Sequence, residues 1–149
     1  MIETSVRPVG HPWRDISFSS TLYLRPIIDL LLVEIPLSFR AEVRLGLQEA
    51  LVNAAKHGNN LDPSKVVFVR FCMIRQQYWW IISDQGSGFT PPCRGSTAVP
   101  QPLPHEDHGC GRGLYILYQI FDRVHWNPQG TRLSLGKHVN RRSKLPLLT

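Results

Sequence analysis

Leu47-Gln48-Glu49-Ala50-Leu51-Val52-Asn53-Ala54-Ala55-Lys56-His57-Gly58 is the stretch that decides how the chain folds. Val43, Leu47, Ala50, Leu51 and Ala54 recur at helical spacing and make a buried stripe. The spacing predicts a helix from about Phe39 to His57, capped by Ser38 and stopped by Gly58. Glu49 and Asn53 are four apart, so they share another side of that helix, about 6 Å apart along its axis. Lys56 and His57 continue this polar side one turn on. An amide oxygen is a hard, neutral ligand for magnesium, which keeps waters and substrate phosphates as its other ligands. A carboxylate one turn back can take a proton from an incoming hydroxyl. Lys56 can meet phosphate charge. Taken alone, the same pair also fits a solvated helix face.

Two glycine motifs lie further along the chain. Asp84-Gln85-Gly86-Ser87-Gly88 comes after the apolar run Tyr78-Trp-Trp-Ile-Ile-Ser. An acid at a strand end can accept a hydrogen bond from an exocyclic amine such as that of adenine. Gly86 and Gly88 let backbone approach a base without a Cβ clash. Asp and Gly are also favoured in ordinary strand-ending turns. Gly109-Cys110-Gly111-Arg112-Gly113-Leu114 introduces a helix. Free N–H groups at a helix start bind phosphate, helped by the helix dipole, and Arg112 can add a charged contact. A dinucleotide-binding glycine motif should come after the first strand of a βαβ unit. This one comes after a proline-rich loop late in the chain, so that reading is rejected.

The remaining elements can be placed around these motifs. Asp15-Ile-Ser-Phe-Ser-Ser alternates as a half-buried strand does. Pro26 suits the first turn of a helix running to about Glu34. Lys65–Ile74 and Tyr78–Asp84 read as an antiparallel hairpin rich in β-branched and aromatic residues. A helix from Gly113 to about Val124, then a hairpin of Val124-His-Trp with Gly130–Leu135, completes the series. Pro91, Pro92, Pro100, Pro102 and Pro104 exclude regular structure between the glycine motifs, where a lid over a ligand would belong. The organisation expected is an N-terminal extension (1–14), one domain (15–136, with a lid at 89–112) and a basic tail (137–149).

Composition narrows the classes. The 149 residues, 42% hydrophobic and 19% charged, suit one ordinary globular domain. The apolar stretch around Ile27–Val33 falls far short of the ~20 residues a membrane span needs. Arg7, His11 and Arg14 interrupt any secretory core. Cys72, Cys93 and Cys110 contain no Cys-x-x-Cys, which argues against a disulfide scaffold or zinc ribbon and for a reducing cytoplasm. The net charge of +6 raises nucleic acid as a partner. Setting Lys137, Arg141, Arg142 and Lys144 aside from the 17 basic residues leaves 13 against 11 acids, a balance of only +2. That argues against nucleic acid. The adjacent Trp79-Trp80 would point to opposite sheet faces, so one at most could stack on a base.

In this order the motifs resemble the ATP-binding domain shared by gyrase, the Hsp90 chaperones, sensor histidine kinases and the MutL repair proteins. The chain is most similar to the anti-sigma factor serine kinases of bacteria. Glu49–His57 matches that family's N-box, Asp84–Phe89 its adenine box, and Gly111-Arg-Gly-Leu-Tyr-Ile-Leu with Phe121-Asp-Arg-Val124 its second glycine box. The resemblance implies an α+β fold, a two-layer sandwich with helices on one face of a mixed, mostly antiparallel sheet. It implies that Glu49 is the general base, that Asn53 binds magnesium and that Asp84 reads the adenine amine. Gly86 and Gly88 would line the base, Gly111 and Gly113 would lie against the phosphates, and Thr131 would help hold adenine through water. Lys56, His57 and Arg112 complete the expected nucleotide-facing set.

The activity implied is transfer of the ATP γ-phosphate to a serine of an anti-anti-sigma partner, with a sigma factor as the competing partner and a homodimer as the assembly. The alternatives are an ATP-gated binding module without catalysis, and a nucleic-acid binder using the tail. The long proline-rich lid, Gly109-Cys110 and the tail depart from the family pattern.

Overall fold

In the computed structural model, residues 2–6, 13–88 and 112–138 are described, apart from the side chains of 3–6 and 112. Six strands form one sheet: β1 (Glu3–Val6), β2 (Arg14–Ser19), β3 (Val66–Ile74), β4 (Gln77–Ser83), β5 (Arg123–Trp126) and β6 (Arg132–His138). Their order across the sheet is β1-β2-β3-β4-β6-β5. All the pairings described are antiparallel, in line with the mostly antiparallel sheet expected. The β3–β4 hairpin turns through Arg75 and Gln76, both with positive φ. Period-two burial is clearest in β4, where Tyr78, Trp80 and Ile82 are buried and Gln77, Trp79, Ile81 and Ser83 are partly exposed. The two tryptophans therefore do face opposite ways.

Helices α1 (Arg25–Leu31), α2 (Leu37–Val52) and α3 (Arg112–Ile120) cover one face. The stripe of α2 is as its spacing requires: Val43, Leu47, Ala50 and Leu51 are buried, and so is Ala54 just beyond them. Trp80 centres the core. Its ring meets Phe121 edge-on at 5.7 Å and stacks on Tyr78 at 6.1 Å. Pro26 does sit in the first turn of α1. Ser38, however, is not a cap. Pro36 holds the N-cap position of α2, with no side-chain cap bond, and Ser38 lies exposed inside the first turn.

Three further expectations change. The long helix does not stay α-helical to His57: from Asn53 to Gly58 it widens into a π-helical turn. α3 ends at Ile120, because Phe121 closes the last turn and Asp122 N–H bonds Gly136 O, just before β5 begins at Arg123. Residues placed in the extension and the tail also join the sheet. Residues 3–6 pair with β2 rather than hanging free. Lys137 belongs to β6, not to a tail. It is 2% exposed, donates to Ile120 O at 2.8 Å and lies 3.5 Å from Glu42 Oε1, with Glu42 itself 5% exposed. Its alkyl stem extends the buried surface begun by Leu133 and Leu135. The expected lid, with Cys93, Cys110 and Gly111, falls outside the described residues, Arg112 backbone apart.

Two substitutions test this packing. A Cβ on Gly46 would stand 2.5 Å from Phe121 Cε2 and 2.8 Å from its Cζ. Gly46→Ala should therefore destabilise by about 1–2 kcal/mol in urea unfolding, overpacking outweighing a helix-propensity gain of about 1 kcal/mol. Neither oxygen of Glu42 accepts a hydrogen bond, so Lys137 is its electrostatic partner. Lys137→Met should cost about 3–5 kcal/mol by stranding that carboxylate, and adding Glu42→Leu should restore most of the loss. A double variant no better than the single one would refute the pairing.

Candidate functional site

The motifs meet at one end of the molecule, where α2 ends, α3 begins, β4 ends and β6 starts. α2 packs along α3, and Gly113, the second residue of α3, marks the crossing. A Cβ there would sit 2.8 Å from Glu49 Oε2 and 3.7 Å from Asn53 Nδ2. Glu49 and Asn53 thus converge on the opening turn of α3, and glycine keeps the space between them clear. Both are partly exposed. The start of α3 brings the partial positive charge of a helix N-terminus to the same place.

Asp84 lies past the end of β4 and is fixed from behind. Its N–H donates to Thr131 O at 2.9 Å, and its Oδ1 accepts Gly86 N–H at 2.9 Å. Gly58 closes the π turn directly over the carboxylate: a Cβ there would overlap Asp84 Oδ1 at 2.8 Å and come closer still to the rest of the group. Gly86 lies against Gly58 O with no room for a side chain. Gly88 takes φ +82° and presses on Gln129 O. These glycines are needed for three close approaches, two of them to other backbone. Thr131 stands beside this loop, its methyl 3.4 Å from where a Gly88 Cβ would be. Its Oγ1 accepts from Asn127 Nδ2 at 3.0 Å and keeps its proton to donate.

Burial raises the Asp84 carboxyl above its ordinary 3.8, and the Gly86 N–H and nearby Lys65 only partly offset this. A half-buried acid retained at such a cost is a common mark of a working site. The thiol of Cys72 is buried elsewhere in the sheet and pushed up to about 11, so it is no nucleophile.

Lys56 and His57 are exposed on the π turn that follows Asn53. Gly111 and the Arg112 side chain lie outside what is described. Among the described residues, no cluster of three His, Cys, Asp or Glu groups could hold a metal. Nor is any described helix long and apolar enough to cross a membrane. One residue was missed. Asn59 is fully buried and bonds to Gln85, Ser20 and Val66. A polar residue just after a helix-stopping glycine reads as a surface turn, so no sequence signal separated it.

The arrangement is that of a histidine kinase-like ATPase domain, and that family's model matches residues 28–137. The chain belongs to this family. It is 28% identical over 105 residues to the serine-protein kinase RsbW of Bacillus licheniformis, and 25% identical over 104 residues to that of Bacillus subtilis (strain 168). The matches cover 67% and 66% of this chain but 65% and 64% of those relatives, so the chain spans just under two thirds of their length.

Asp84 also makes a stability prediction. Because its folded-state pKa is raised, the folded protein loses stability as pH climbs from the ordinary carboxyl value through the raised one. Asp84→Asn removes that loss and can still accept the Gly86 N–H. The variant should melt higher than the parent at pH 7, with the gap closing as the pH approaches 3.8. A gap that ignores pH in a series of thermal melts would exclude burial of the charge as its cause.

Proposed function

We propose that this chain is an anti-sigma-type protein-serine kinase that uses ATP and magnesium. The carrying observation is the convergence of Glu49 and Asn53 on Gly113 at the start of α3. Membership of an ATPase family and similarity to two serine-protein kinases support the reading.

The site's chemistry fits the group. Asn53 offers a neutral amide oxygen suited to magnesium, which supplies charge neutralisation at the phosphates when bound. The donor set is sparse, as expected for an ion whose other ligands are water and phosphate. The backbone at Gly111 and Gly113 receives the phosphates at the α3 N-terminus, with Arg112 beside them. Asp84 accepts the adenine amine, Gly86 and Gly88 border the base, and Thr131 donates toward it. Lys56 and His57, exposed on the π turn, meet phosphate charge from the helix end. Glu49 then takes the proton of an incoming serine hydroxyl. Most of the acceleration comes from positioning and electrostatics, as in phosphoryl transfer generally, with general-base help adding about 10²–10⁴-fold.

The protein substrate in this reading is an anti-anti-sigma-type partner, with a sigma factor competing for the same chain and nucleotide state biasing the exchange. A cytoplasmic homodimer is the form we propose.

Glu49→Gln separates binding from chemistry. Labelled ATP should bind as in the parent, while transfer to a partner serine falls at least about a hundredfold. Unchanged transfer would remove Glu49 as the base. A parent protein that binds ATP firmly yet transfers nothing would favour an ATP-gated binding module instead.

A further inference from the structure

The β3–β4 ladder stops one step early, and a side chain stops it. Its last backbone pair is Phe68 with Ser83. Continued outward, the register sets Val66 opposite Gln85. Asp84 N–H points to β6, where it bonds Thr131 O. Gln85 N–H, one residue on, therefore points to β3. In an uninterrupted antiparallel ladder it would donate to Val66 C=O, and Val66 N–H would donate back to Gln85 C=O.

Side chains take those places. Gln85 N–H donates to Asn59 Oδ1 at 2.7 Å. Asn59 Nδ2 donates to Val66 O at 2.9 Å. Val66 N–H donates to the Gln85 side-chain Oε1 at 2.8 Å. The second Nδ2 proton goes to Ser20 Oγ at 2.9 Å, and that hydroxyl donates to Lys65 O at 2.8 Å. The partners fix the amide's orientation, since a flipped amide would set donor against donor. At 0% exposure the group has no water to fall back on.

The π turn delivers it. Asn59 N–H reaches back five residues to Ala54 O at 2.9 Å, whereas an α-helix would bond it to Ala55 O. Ala55 O instead receives Leu61 N–H at 2.8 Å.

We propose that Asn59 is a wedge between β3 and the Asp84–Gly88 loop, a positioning residue that holds the loop off the sheet and keeps open the cleft for a nucleotide base. This rests on the nucleotide reading above and adds a determinant that touches no ligand. Without the amide, Val66 and Gln85 regain each other as backbone partners, the ladder lengthens by one hydrogen-bonded pair, and the loop is drawn down over the base position.

The test uses the full chain and three probes: ATP, GTP and inorganic tripolyphosphate, which has no base. The parent should bind ATP more tightly than GTP. Asn59→Ala should weaken ATP at least about tenfold, the affinity of one good hydrogen bond. Tripolyphosphate binding should be unchanged, and NMR should show a new backbone contact between Val66 and Gln85. A folded Asn59→Ala protein with parental ATP affinity, or without the new contact, overturns the proposal. A parent that binds none of the probes defeats the nucleotide reading, while the Val66–Gln85 contact still decides the wedge. Should the variant not fold, hydrogen exchange in the parent decides: a slowly exchanging Gln85 amide supports the wedge, and exchange at an open-loop rate overturns it.

Discussion

Everything at the glycine-motif end of the domain depends on how closely the end of the long helix approaches the end of the central strand. Gly58 and Gly86 meet backbone to backbone, with the Asp84 carboxylate closed in beside them. A side chain at either glycine would push helix and strand apart. Asp84 would then open to water and lose the burial that raises its pKa. The same approach brings Asn59 to the sheet, where it satisfies groups that strand pairing would otherwise take. One close contact thus fixes an acid and a loop together.

The domain treats its two ends differently. At the far end, Lys137 and Glu42 are shut away among Phe39, Ile120 and the core. That pair is buried and poorly supplied with hydrogen bonds, so desolvation offsets much of its attraction and it adds little net stability. At the near end the polar groups are partly exposed: Glu49 and Asn53 face Gly113 in the first turn of α3.

The π turn links these features. Widening the helix after Asn53 leaves Glu49 and Asn53 on the α-helical line toward α3 and changes the hydrogen bonding beyond them: Asn59 N–H reaches Ala54 O, five residues back. Lys56 and His57 are exposed on this turn, and Asn59 is buried just past it. Such bulges recur at functional sites because one inserted residue re-aims all that lie beyond it.

Much of this was legible in the chain. The stripe Val43, Leu47, Ala50, Leu51 and Ala54 specified the buried face, because helical periodicity is local and strong. The β-branched and aromatic run Tyr78–Ser83 specified the returning strand of the hairpin, and the order of the Glu49–Asn53, Asp84 and Gly113 motifs specified the family. The features that stayed hidden depended on neighbours distant in sequence. Lys137 looks like the start of a basic tail until β6 pairs with β4 and turns it onto Glu42. Residues 3–6 read as part of an extension until β2 offers an edge. Asn59 looks like a surface turn until β3 and Gln85 close around its amide. Sequence determines which faces are apolar and which residues carry chemistry, because those are properties of a few consecutive side chains. Tertiary structure alone decides which polar groups are buried, because a hydrogen-bond partner 26 residues away has no place in a local pattern.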